Sequence, residues 1–139
     1  MIKKFSVELE GQIEFYEQYL KVVNPSLSYD DIFRNNTDGI LNGNLLEFKL
    51  NITDLNACLF QTIKYLSAMR IKGEPLPANI LLISLNTATT YVYKSADYLT
   101  EIEKVYVGGA SRKNVGFFAK DYVLKFEYGE NQSDEFSLI

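Results

Sequence analysis

The feature that most constrains this chain is the apolar run Ile80-Leu81-Leu82-Ile83 within residues 79–85. Neighbouring side chains of a strand point to opposite faces, so an uninterrupted apolar run puts hydrocarbon on both. Both faces must then be covered, as in the central strand of a layered α/β domain. The run is also far short of the ~18 apolar residues that span a bilayer. No apolar leader follows Met1-Ile2-Lys3-Lys4-Phe5, so the expectation is a cytoplasmic protein with no membrane partner.

The remaining elements can be placed around that strand. Phe5, Leu9, Ile13, Tyr16 and Leu20 recur at steps of three and four, which predicts a helix over 5–23, ended by Asn24-Pro25. Glu10, Glu14 and Glu17 form an acidic stripe beside those apolar positions. Asn42-Gly43 predicts a two-residue turn and a β-hairpin over 38–50. Thr53 or Asp54 can cap a second helix over about 54–72, closed by Gly73. Leu55, Leu59, Leu66 and Met69 would form its packing stripe. A strand over 89–93 follows the central one, and Ser95 can cap a short helix through Lys104. Residues 105–107 and 122–128 read as further strands, and the polar tail 129–139 as frayed. The 139 residues fit a single domain, 1–139, with a central mixed sheet flanked by helices.

Composition narrows the chemistry. The chain has no histidine and one cysteine, Cys58. Internal disulfides, Cys-rich zinc sites and Ser-His-Asp or Cys-His catalysis are excluded. Any catalysis must rest on carboxylates, Lys, Tyr or a hard metal ion. The formal net charge of −4 gives no sign of a strong, autonomous nucleic-acid binder.

The hairpin is where such chemistry can gather. A two-residue turn at Asn42-Gly43 sets Leu41 opposite Asn44, Ile40 opposite Leu45, Gly39 opposite Leu46 and Asp38 opposite Glu47. Opposed residues have Cβ atoms ~5 Å apart on one face, and Lys49 shares that face by the strand's period of two. Leu41, Leu46, Phe48 and Leu50 point the other way, toward a plausible core. Two facing carboxylates repel, and Lys49 or a divalent cation such as Mg²⁺ can offset that cost. Glu47-Phe48-Lys49 is the only (D/E)-x-K triplet in the chain. On the following helix, Gln61 and Tyr65 stand four residues apart on one face, with Cys58 a turn earlier.

These residues resemble the PD-(D/E)xK nuclease superfamily: Asp38, then Glu47-Phe48-Lys49 after a short hairpin, then a helix carrying Gln61-x-x-x-Tyr65. Asn36-Thr37-Asp38-Gly39 is similar to the nuclease segment at the N-terminus of restriction-modification and DNA methylase proteins. The resemblance spans about residues 5–110, and Thr37 stands where the motif's proline would be. It implies a restriction-endonuclease-like sheet and an endonuclease-type DNA hydrolase using Mg²⁺ or Mn²⁺. By the resemblance, Asp38, Glu47 and the Phe48 carbonyl bind the metal, Lys49 is the catalytic lysine, and Gln61 and Tyr65 are accessory. Glu14, or else Glu10 or Glu17, supplies a further acid. It also implies DNA as partner, and further methylase or DNA-recognition domains if the chain is a piece of a longer protein. Two rival readings stay open: a non-catalytic DNA-binding or assembly domain of the same fold, and an unrelated α/β interaction module in which Asp38–Lys49 is a surface ion pair. Gly108–Asn114 reads as a plain turn rather than a phosphate loop, and Lys64, Arg70 and Lys72 as either phosphate contacts or the helix's wet side.

Overall fold

The computed structural model describes residues 7–17, 26, 28–30, 39–41, 43–106 and 121–127. Their strands form one five-stranded mixed sheet in the order β1-β2-β3-β4-β5. β1 (Ile40–Leu41) and β2 (Asn44–Lys49) are the arms of the hairpin. Their register pairs Ile40 with Leu45 and Leu41 with Asn44, and the Leu46 N–H donates to the Gly39 carbonyl at 2.8 Å. That is the register expected from the turn residues. Gly43 has φ +78°, where a Cβ would be strained.

β3 (Asn79–Ser84) runs parallel to β2. Two parallel neighbours need a crossover, and helix α2 (Leu55–Ile71) supplies it. β4 (Thr89–Lys94) is antiparallel to β3, and β5 (Leu124–Glu127) is antiparallel to β4. Ile80 through Ser84 are all buried, as the apolar run requires. One face of the sheet, with Leu45, Ile80, Leu82 and Tyr93, packs on Leu59, Ile63 and Leu66 of α2 and on Tyr98 and Ile102. Ile102 belongs to α3 (Leu99–Tyr106). The other face meets α1 (Glu8–Phe15), where the Phe15 ring sits edge-on to Phe48 at 5.4 Å. The chain is therefore an α/β sandwich with helices on both faces of the sheet.

Several expectations need correction. On α1 the buried positions are Gly11 and Phe15, while Leu9 and Ile13 are 56% and 43% exposed. The helix docks through its glycine: a Cβ on Gly11 would lie 2.6 Å from Leu85 Cδ1. Residues 105 and 106 are helical, not strand, because α3 continues through Tyr106. Ser95 does not cap its helix. Its hydroxyl donates to the Pro77 and Ala78 carbonyls and ties the end of β4 to the start of β3. The hairpin's packing is two-sided: Leu46 and Phe48 are buried as expected, but so is Leu45 on the face of Glu47 and Lys49. Residues 1–6, 18–25, 31–38 and 107–120 lie outside the described residues, and so do 128–139. The ends of the predicted first helix, the turn at 108–114 and the polar tail fall there. Among the described residues no helix is long and apolar enough to cross a membrane.

Candidate functional site

β2 carries Glu47 and Lys49 on the face that meets α2, near the end of the strand. The alternation of the strand puts them on one side. The parallel register then aligns Glu47 with Leu82 and Lys49 with Ser84. Lys49 Nζ lies 3.5 Å from Glu47 Oε1, with the two side chains 38% and 37% exposed. This is longer than the ~2.8 Å of a tight charged hydrogen bond. The pair is loose and wet, and either group can turn toward a ligand.

The backbone beyond Lys49 is held from two points. The Ile52 N–H donates to Ser84 Oγ at 3.1 Å, and the Asn86 N–H donates to the Leu50 carbonyl at 2.9 Å. The loop between β2 and α2 is thus fastened to the end of β3. Asp54 then caps α2, its carboxylate accepting from the Ala57 N–H at 3.1 Å. Sequence reasoning passed over Ser84 and Asn86. The one available signal was a polar residue closing an otherwise apolar strand.

α2 brings a third group to Glu47 and Lys49. Cys58, in its first turns, is buried. Burial first, and then the Glu47 carboxylate, push its thiol up to about 11; Lys49 opposes, and Asp54 adds a smaller upward push. The thiol is therefore within the field of both β2 charges and stays protonated at neutral pH.

From Cys58 to Met69, α2 is enclosed on nearly every side. Leu59, Phe60, Thr62, Ile63, Leu66 and Ser67 are buried, Lys64 and Ala68 are half-buried, and only Gln61 and Tyr65 are exposed. The two residues singled out for their spacing are thus the open positions of an otherwise covered helix. They continue the side of α2 that begins at Cys58, three and seven residues on.

The remaining site residues separate. Glu14 sits half-buried on α1, next to Phe15 and on the opposite side of the sheet from the Glu47 side chain. Glu10 and Glu17 are exposed, so Glu14 is the least exposed member of the acidic stripe. Asp38 lies outside the described residues. Among the described residues no three acidic, cysteine or histidine side chains gather as a metal cluster. Chemically, the arrangement offers one accessible carboxylate, one accessible ammonium and the polar side chains of Gln61 and Tyr65. Carboxylate and carbonyl oxygens are the donors hard divalent cations prefer, so the set fits Mg²⁺ or Mn²⁺ in kind. No family model, curated protein or solved structure matches the chain.

Proposed function

We propose that this chain is a metal-dependent nuclease domain of the PD-(D/E)xK type, hydrolysing DNA phosphodiesters. Its α/β sandwich would be the restriction-endonuclease-like variant. Its setting would be a cytoplasmic restriction-modification or other DNA-processing protein that carries methylase or DNA-recognition domains. The observation that carries this reading is the pairing of Glu47 with Lys49 at 3.5 Å beside a helix on which, from Cys58 to Met69, the exposed positions are Gln61 and Tyr65. A solvated ion pair alone would be ordinary. A solvated ion pair next to the one wet strip of a buried crossover helix has the makings of a site.

In this reading Asp38, two residues before β1 in the sequence, joins Glu47 and the Phe48 carbonyl in holding Mg²⁺ or Mn²⁺. A bound ion would supply Lewis-acid polarisation of a phosphate and a more acidic bound water. Lys49 would balance charge growing on a phosphate oxygen or orient a water. Gln61 and Tyr65 would steady the phosphodiester by hydrogen bonds. The acidic net charge of −4 agrees with a catalytic module that other domains deliver to DNA.

The test is cleavage of supercoiled and linear DNA with Mg²⁺ or Mn²⁺, comparing wild type, Lys49→Ala and Glu47→Gln, with Mn²⁺ binding measured separately. An exposed pair contributes ~0–1 kcal/mol to stability, so both variants should remain folded. The expected result is metal-dependent cutting that both variants lose, with Mn²⁺ binding weakened by Glu47→Gln and retained in Lys49→Ala. Cutting that survives in Lys49→Ala, or a wild type that neither cuts DNA nor binds Mn²⁺, sinks the proposal.

A further inference from the structure

Between Asp54 and Glu74 the chain carries Lys64, Arg70 and Lys72 and not one carboxylate. This is the reverse of the chain as a whole, with 18 acidic and 14 basic residues. The structure sorts these cations. At 3.6 residues per turn, Lys64 and Lys72 fall on the same side of α2 as Gln61 and Tyr65, while Arg70 points the opposite way, with its Nε buried. Lys64 is half-buried, its stem laid along the helix so that Nζ stands 5.5 Å from the Phe60 ring centroid. Lys72 is exposed at the helix C-cap. The water-facing strip thus reads Gln61, Lys64, Tyr65, Ala68, Lys72: two cations, hydrogen-bonding groups and no acid. Among the described residues, neither Lys64 nor Lys72 is ion-paired.

The strip has a direction. It begins beside Cys58, which feels both Glu47 and Lys49, and runs away from that pair for ~16 Å between Gln61 and Lys72, at ~1.5 Å per residue. Phosphates along one strand of duplex DNA are spaced ~3.4 Å along the axis, so the strip is about five nucleotides long.

We propose that the water-facing strip of α2, from Gln61 through Lys64 and Tyr65 to Lys72, is the track that holds the phosphodiester backbone of the substrate leading to Glu47 and Lys49. The inference rests on the nuclease reading for what happens at the end of the track, but binding along it is separately measurable. Lys64 and Lys72 contact phosphates by charge, which carries no sequence information, while Gln61 and Tyr65 donate hydrogen bonds between them. The track is local: it lets an acidic chain hold a polyanion on one side without a global basic surplus.

The test is the salt dependence of binding to a fluorescein-labelled DNA duplex, with Ca²⁺ in place of Mg²⁺, read by anisotropy. Each phosphate contact by a lysine adds ~0.9 to the slope of log K against log salt. The Lys64→Gln/Lys72→Gln variant should lower the slope by ~1.8. The Lys94→Gln/Lys125→Gln variant removes the same charge from the β4–β5 side, where both lysines are exposed, and should leave the slope unchanged. Equal loss in the two variants would show that the two lysines only contribute net charge and would overturn the track. So would an unchanged slope in Lys64→Gln/Lys72→Gln, or a wild type without salt-dependent binding. Cleavage separates the two proposals. Cutting with an unaffected slope removes the track and leaves the nuclease; a lowered slope with a wild type that neither cuts DNA nor binds Mn²⁺ keeps the track and removes the nuclease.

Discussion

Gly11→Ala should destabilise the protein although alanine is the better helix former. An ordinary carbon–carbon contact is ~3.5–4.0 Å. The new methyl would lie 2.6 Å from Leu85 Cδ1, 2.9 Å from its Cβ and 3.0 Å from its Cγ. The Cδ1 overlap could be relieved by a rotamer change, but the Cβ overlap cannot, because that atom moves only with the backbone. Leu85 is 1% exposed and cannot swing into water. The helix must therefore lift, loosening Phe15 from Phe48, or Leu85 must repack. Overpacking of this kind costs ~1–3 kcal/mol, and the Cβ contact places it near the upper end. The helix-propensity gain of Ala over Gly is ~1 kcal/mol, leaving a net loss of ~2 kcal/mol. Urea unfolding followed by circular dichroism would read this as a midpoint lower by ~1 M, for a slope of ~2 kcal/mol/M. A second background sharpens the result. In Leu85→Ala the obstructing Cγ and Cδ atoms are gone and only the Cβ contact remains, so Gly11→Ala should cost ~1 kcal/mol or less there. The coupling between the two sites should be ~1–2 kcal/mol. If Gly11→Ala stabilises the otherwise unaltered chain by the propensity value, and adds simply to Leu85→Ala, the docking of α1 through its glycine is wrong.

Three further predictions follow from local geometry and titration. Ala88 ends the turn after β3 with φ +52°, where an L side chain costs ~1–2 kcal/mol; Ala88→Gly should raise stability by ~0.5–1 kcal/mol after glycine's greater unfolded-state entropy is deducted, and a lowered urea midpoint would refute it. Cys58, held near 11 against an ordinary 9.0, should react with a thiol reagent at pH 8 at least ~100-fold more slowly than an exposed cysteine, from its smaller thiolate fraction alone. Tyr93 is likewise pushed up to about 12, by burial first and then by Tyr98. Both groups bind their proton more tightly when folded, so the stability they add is intact below pH 9 and is lost as pH rises through 11 and 12. Thermal melts should show Tm falling across that window, less steeply in Cys58→Ser; a flat profile would count against both shifts.

Much of the framework is local enough to be legible in the chain. Asn42-Gly43 accepts one tight turn, and that turn dictates the pairing of Ile40 with Leu45 and Leu41 with Asn44. The Ile80–Ile83 run needs cover on both faces, and it has it. Asp54 and Gly73 bracket α2 because a short carboxylate satisfies a bare helix N–H and glycine accepts φ +79°. The closeness of Glu47 to Lys49 likewise follows from the period of a strand.

What the chain alone could not specify was the identity of faces. Apolar periodicity counts side chains, so it included Leu9 and Ile13 in the packing stripe of the first helix along with Tyr16, which is indeed buried, and overlooked Gly11, whose value lies in having no side chain where Leu85 presses. Residues 105 and 106 have β-forming side chains, yet the helix beginning at Leu99 runs on through them once Ile102 is packed beneath the sheet. Ser95 could cap a helix or bond elsewhere, and only the approach of the Pro77 and Ala78 carbonyls selects the second. The candidate site divides along the same line. Gln61 and Tyr65 are named by their spacing, but spacing says nothing about water. Their place on the open strip of a helix otherwise enclosed by sheet and α3 is a property of long-range packing, as is the fastening of the Lys49 loop by Ser84, which stands 32 residues from Ile52. Turns, caps and strand alternation are settled within a few bonds. Exposure and close approach are set by segments far apart in the chain, and they exist only once the layers have closed.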